Sequence, residues 1–266
     1  MKQKEVFSGP ALGLSVLTAA LADAAAPAGS VRAALLSGLL NAAVLSALIL
    51  LAGAFWQRSQ AFRLAWMTAL PLWLLAELAR TVLQAHAVCR EEFRSMALLG
   101  VLPLLLWAGG QLAPGSWNAA ARVLWWMVFL GIVLCLPGLL GQMHWTRLVA
   151  ADAARPARSV QALVYAEYFF GPPLCAGKTP KHLLGLPWPA FAVQAAAWLG
   201  MGLVFGAGDY PQRELLRAWN AGVFSRLDAL LLLVWLACAF YRIGFLCTAL
   251  RTCLCGTAPA GKGSAE

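Results

Sequence analysis

The chain has 266 residues, of which 61% are hydrophobic and only 12% charged, with a mean hydropathy of +0.73. A water-soluble domain of this size needs far more charge to cover its surface, so composition excludes a soluble enzyme. The formal net charge of +9 comes from basic residues set singly or in pairs between apolar blocks. No helix carries a basic stripe, which excludes nucleic acid and points to lipid headgroups.

The apolar residues come in blocks of bilayer-crossing length, which takes about 20 residues. A first block, about 7–26, stops at Pro27 and Gly29. The Met-Lys-Gln-Lys-Glu start has the look of a signal peptide, but further apolar blocks follow at once, so a retained first helix is expected. The second block, 31–55, ends at Trp56-Gln57-Arg58, an interfacial aromatic followed by charge. The third, 64–88, contains Pro71, Glu77 and Arg80, and polar residues 89–94 close it. The fourth, 95–112, ends in Pro114-Gly115-Ser116, and the fifth, 119–140, holds Trp125-Trp126 and Pro137.

A polar connector, 142–158, leads to a short sixth block, 159–175, interrupted by Gly171-Pro172-Pro173. The seventh, 184–205, opens on Pro187-Trp188-Pro189. Residues 206–226 place Leu215, Leu216, Trp219 and Val223 on one side of a helix, the pattern of a segment lying in the membrane interface. The eighth block is 227–250, and the Gly/Ala/Pro-rich tail 256–266 is expected to be disordered. The expected fold is therefore all-α: one membrane domain, residues 1–255, of about eight transmembrane helices, with the bilayer as its first partner. Backbone groups in hydrocarbon must bond internally, which helices achieve. Lysine and arginine divide almost evenly between the two sets of loops, so orientation is not set by charge.

The segment Tyr210-Pro211, then Trp219-Asn220-Ala221-Gly222-Val223-Phe224-Ser225-Arg226-Leu227-Asp228, Trp235 and Phe240-Tyr241-Arg242 resembles the late part of endospore germination permeases. These are the GerAB-type B subunits of nutrient germinant receptors. In that family a "YP" segment leads to "G-x-F-x-E-R-L-D/E" and a tryptophan-bearing helix; Ser225 stands here where Glu is frequent. Weaker matches run in order from Lys4 to Arg251 and include Glu5-Val6-Phe7-Ser8, Glu77–Arg80, Ala119–Arg122 and Glu167. The resemblance implies the amino acid–polyamine–cation transporter superfamily, whose members have about ten helices; this chain stops soon after the eighth block, apparently two short. It also implies a small nutrient ligand such as an amino acid, and A- and C-type receptor subunits as partners.

Transporters of that superfamily bind ligands at broken helices near mid-membrane. Two proline-glycine breaks qualify here, at Pro27 and Gly29 and at Gly171 and Pro172, because proline removes a donor and glycine frees the backbone. Charges within apolar blocks are the sharper signal, since each is costly in hydrocarbon. Glu77 and Arg80 lie three apart on one helix face, spaced to form an ion pair; alternatively Arg80 faces a cavity and holds a ligand carboxylate. Glu167 has no partner near it in sequence, is flanked by Tyr165 and Tyr168, and sits one helical turn before Gly171. Asp23 falls one turn before Pro27, where it contacts headgroups, caps a helix or meets a ligand.

The remaining features read as structural. Most of the twelve tryptophans stand near block ends and suit an interfacial belt. The seven cysteines and three histidines show neither a disulfide framework nor metal-ligand spacing, so no metal or other cofactor is expected. No hydrolase, P-loop, zinc-protease or dinucleotide motif occurs, and no catalytic residue is assigned. Three functions follow as expectations: a germinant-receptor membrane subunit, an amino acid permease of the same fold, or a non-transporting scaffold.

Overall fold

The computed structural model describes residues 7–23, 31–141, 143–147, 164–170, 181–205 and 227–255. Pro27, Gly29, Gly171, Pro172, the 206–226 segment and the 256–266 tail lie outside these residues. The described chain forms eight α-helices: α1 (Gly9–Asp23), α2 (Val31–Arg58), α3 (Gln60–Glu92), α4 (Ala97–Gln111), α5 (Pro114–Leu140), α6 (Lys181–Gly185), α7 (Pro187–Phe205) and α8 (Leu227–Cys255), with a 3₁₀ turn at Ala166–Phe169.

Five of the helical stretches are long and apolar enough to cross a membrane: Ala34–Arg58, Gln60–Glu92, Pro114–Leu134, Leu183–Val204 and Leu230–Leu254. The expected count of about eight differs for physical reasons. Helices α1 and α4 have 15 residues each, a rise of about 23 Å at 1.5 Å per residue. That falls short of the roughly 30 Å of a bilayer's hydrocarbon core. The sixth block contributes, over its described part, no α-helix but the four-residue turn Ala166–Phe169.

The layering is the reverse of a soluble bundle. Helix α1 is interior and buried nearly all round, and α8 joins it over its second half, where Tyr241–Leu246 is a continuous buried run. Helices α2, α3 and α5 surround them and turn large apolar side chains outward, among them Leu36, Leu72, Trp126 and Phe129. A soluble helix would place polar residues there. On α3 the buried side chains Leu70, Leu74, Glu77, Leu78, Thr81, Ala85 and Val88 recur every three or four residues, the stripe of a helix packed on one face.

Local signals explain the junctions. Ser59 alone separates α2 from α3, and its Oγ caps α3 by accepting from Phe62 N at 3.2 Å. Helix α3 closes where Ser95 N bonds Cys89 O at 3.1 Å, with Arg94 between them in the left-handed region at φ 49°. Pro114 opens α5 rather than closing α4, because a first-turn proline has no N–H to lose.

Helix α4 crosses α8 closely at Gly109 and Gly244. A Cβ on Gly109 would stand 2.8 Å from Gly244 O, and one on Gly244 would enter the Trp117 ring. The close approach lets Thr248 Oγ1 donate to Gly109 O at 2.6 Å while accepting from Trp117 Nε1 at 2.7 Å. Arg251 of α8 donates to Gly110 O and Leu112 O, satisfying carbonyls that α4's end leaves unpaired. The start of α1 is tied down equally: Asn118 Oδ1 accepts from Ser8 N and Ser8 Oγ, Trp125 Nε1 donates to Pro10 O, and Tyr241 OH donates to Ala11 O.

A candidate site at a buried ion cluster

The Ala166–Phe169 turn enters the centre of the bundle, and every residue from Tyr165 to Phe170 is buried. Aromatic contacts hold it there. Phe169 packs against Trp66 and Trp73 of α3, and Phe170 stacks on Phe245 of α8. Within the turn Glu167 is wholly buried.

Arg242 of α8 lies at the centre, 1% exposed. Its Nη2 is 2.9 Å from Glu77 Oε2 and 3.0 Å from Glu167 Oε1. Its Nε donates to Glu167 Oε1 at 3.1 Å, and its Nη1 to Thr81 Oγ1 at 2.7 Å. Ser15 of α1 donates to Glu167 Oε1 at 2.7 Å. All three guanidinium nitrogens are thus engaged, the condition under which an arginine tolerates burial. Glu167 is wholly buried, and its Oε2 has no hydrogen-bond partner.

A second set of polar groups adjoins this one. Asp23, the last residue of α1, accepts at Oδ1 from Arg80 Nη2 at 2.7 Å and from Gln84 Nε2 at 3.0 Å. Its Oδ2 accepts from Tyr165 OH at 3.2 Å, and Gln194 of α7 donates to the same hydroxyl at 3.4 Å. The Tyr165 ring joins the two sets, with the Arg242 guanidinium carbon 5.9 Å from its centroid. Tyr168 packs edge-on against Tyr165. The Arg80 side chain is 49% exposed and the Asp23 side chain 6%, so this second set opens outward while the first is closed.

Asp23, Glu77, Arg80, Tyr165, Glu167 and Tyr168 therefore meet in one region although they come from three separate stretches of sequence. Two expectations are corrected. Glu77 and Arg80 do not pair: Glu77 turns inward to Arg242 and Arg80 turns to Asp23. Three residues of helix rotate the side chain by about 300°, leaving the two roughly 60° apart, enough to serve different neighbours. Nor is Glu167 a lone carboxylate, since Arg242 and Ser15 reach it. For Pro27, Gly29, Gly171 and Pro172, no placement is described.

Ser15, Thr81, Gln84 and Gln194 are not singled out by the sequence, and Arg242 appears there only within the family resemblance, not as a site residue. The signal for Arg242 was present, because an arginine in mid-block on the eighth apolar stretch must find a counter-charge. The four neutral residues carry no such mark. Among the described residues, no three His, Cys, Asp or Glu side chains come together to suit a metal ion. The chemistry these groups offer is recognition of charge and exchange of a proton. No family model matches this chain, and neither a curated protein nor a solved structure matches it significantly.

Proposed function

We propose that this chain is an integral membrane protein whose bundle interior binds a small nutrient of the amino acid class. In this reading it is the membrane subunit of a spore germinant receptor, working with A- and C-type subunits and signalling by conformational change. The observation that carries the reading is the polar network itself. It joins α1, α3, the 3₁₀ turn, α7 and α8 at the point where α1 ends and where the turn interrupts the helical pattern. A half-exposed guanidinium, Arg80, stands beside the Asp23 carboxylate. A zwitterion matches that pair, its carboxylate to Arg80 and its ammonium to Asp23. Breaking the contacts of Asp23 to Arg80 and Gln84 would free the end of α1 from α3 and so move helices. The membrane placement draws on the five long apolar helices and their apolar outer faces. The germination role draws on the Tyr210–Trp235 resemblance, much of which falls outside the described residues.

One observation favours a different reading. Nearly every polar atom of the inner cluster already has a partner within the protein, as a non-binding scaffold would have. Two experiments separate the readings. Spores lacking the gene are expected to lose germination to at least one amino acid, and Asp23→Asn is expected to reproduce that loss. An unchanged response to every nutrient contradicts the receptor role. Uptake of labelled amino acids by proteoliposomes would instead identify a permease of the same fold.

A further inference from the structure

Tyr165 touches both sets of polar groups and stands at the head of the buried turn. Its hydroxyl donates to Asp23 Oδ2 at 3.2 Å and accepts from Gln194 Nε2 at 3.4 Å. Its ring lies beneath the Arg242 guanidinium and against the Tyr168 ring. Its carbonyl accepts from Tyr168 N at 3.2 Å, a hydrogen bond that closes the turn. Two torsions place the whole phenol, and at 1% exposure it is packed on all sides. A displaced hydroxyl therefore carries the ring, and the ring carries the turn. Further along the turn, Phe169 sits against Trp66 and Trp73 of α3, with ring centroids 5.5 Å apart in each case. Asp23 is the other end of this chain of contacts. It ends α1; its Oδ1 is shared by Arg80 and Gln84, and its Oδ2 accepts from Tyr165. A ligand ammonium that draws Asp23 away from Arg80 turns the carboxylate, and Tyr165 is bonded to its other oxygen.

We propose that Tyr165 is the positioning residue that makes the place of the turn depend on the state of Asp23. An event at the half-exposed Asp23–Arg80 pair is then felt at the closed Glu77–Glu167–Arg242 cluster and at Trp66 and Trp73 of α3. This rests on the reading that a ligand meets Asp23 and Arg80, and it adds the route by which that event leaves the site. The packing offers two competing arrangements. Asp23 also reaches α3 directly, through Arg80 and Gln84, which would bypass Tyr165. The turn also has anchors of its own, in the Glu167–Arg242 contact and the stacking of Phe170 on Phe245, which would hold it still whatever Asp23 does. Removing one hydroxyl separates the three cases. Tyr165→Phe keeps the ring between Tyr168 and Arg242 and loses only the contacts to Asp23 and Gln194.

The test is fluorine NMR of the full-length protein in lipid nanodiscs, labelled with 5-fluorotryptophan and free of nutrient. Trp66→Phe, Trp73→Phe and Trp117→Phe assign three resonances: the two that face Phe169, and one beside Asn118 at the start of α1. Asp23→Leu removes the acceptor and is expected to move the Trp66 and Trp73 resonances by more than a line width. Tyr165→Phe is expected to move them in the same direction. The double variant is expected to match Tyr165→Phe alone, because without the hydroxyl Asp23 has no hold on the turn. Trp117 is expected to stay in place throughout. Size-exclusion profiles and helicity check folding, and Asp23→Ala replaces Asp23→Leu if the larger side chain prevents it. Unmoved Trp66 and Trp73 resonances in Asp23→Leu overturn the proposal, by showing the turn fixed by its own anchors. A shift of equal size when Asp23→Leu is added to Tyr165→Phe also overturns it, by assigning the route to Arg80 and Gln84. A shift that includes Trp117 does the same, as a general loosening of the bundle. No ligand is present, so failure here removes the route, while binding at Asp23 and Arg80 stands or falls by its own stability assay.

Discussion

Replacing Arg242 with methionine gives the most direct probe of what holds the bundle centre together. Methionine keeps most of the volume and none of the charge. The substitution removes the contacts to Glu77 and Glu167, the hydrogen bond to Thr81 and the ring contact to Tyr165. It leaves two carboxylates that had shared one Nη2, both buried and facing each other. Breaking a buried pair in this way costs about 3–5 kcal/mol, a large share of a typical total of about 5–15 kcal/mol. Glu167→Gln is the contrasting variant. Its carbonyl oxygen can still accept from Ser15 and Arg242, and Arg242 keeps Glu77, so the expected cost is about 1 kcal/mol. The triple variant Glu77→Gln, Glu167→Gln, Arg242→Met carries no charge and is expected to recover most of the loss. Equilibrium unfolding in mixed micelles, with helicity as readout, measures all three. If Arg242→Met costs no more than Glu167→Gln, the buried cluster is not the electrostatic centre described here.

Three other outcomes follow from the packing. Gly244→Ala would place a methyl 2.6 Å from Trp117 Cζ2 and 2.9 Å from its Cζ3, forcing the ring off Thr248; a loss of about 1–3 kcal/mol is expected in the same unfolding assay. Arg94→Gly relieves a left-handed residue at the end of α3, so stability should rise, by up to about 1 kcal/mol, or at least not fall. Trp107 and Trp126 are 67% and 73% exposed and Trp117 is 8% exposed. Brominated acyl chains should therefore quench Trp107 and Trp126, and replacing both with phenylalanine should reduce the quenched fraction while Trp117→Phe does not.

Much of the fold was legible because hydropathy marks long helices without help from tertiary contacts. Blocks one to five, seven and eight became helices, those of blocks two, three, five, seven and eight long enough to cross a membrane, with the largest boundary shifts in α3, α5 and α8. Helix α3 runs to Gln60 and Glu92 because Arg63, Arg90 and Glu91 can sit at helix ends without being buried. Helix α5 begins at Pro114 because the proline that was read as a stop also suits a first turn. Over its described residues the sixth block differs from the expected helix, because an apolar run says only that its residues are buried. Tyr165–Phe170 is buried as a 3₁₀ turn wedged by Phe169 and Phe170, a conformation set by α3 and α8 rather than by its own sequence. In the site, the positions of the charges were readable and their partners were not. Spacing on one helix suggested Glu77 with Arg80, whereas the partners chosen lie 165 and 57 residues away.

The polar network around Asp23 and Arg80 is expected to recognise a zwitterion. Thermal stability of the purified protein in nanodiscs, scanned against single amino acids, measures it. A ligand at one hundred times its Kd adds about 2.7 kcal/mol to the folded state, a shift well above scatter. At least one amino acid is predicted to raise the transition of the wild type and to leave Asp23→Asn and Arg80→Gln unmoved. No shift with any amino acid, or an equal shift in both variants, would contradict the assignment of a ligand to Asp23 and Arg80.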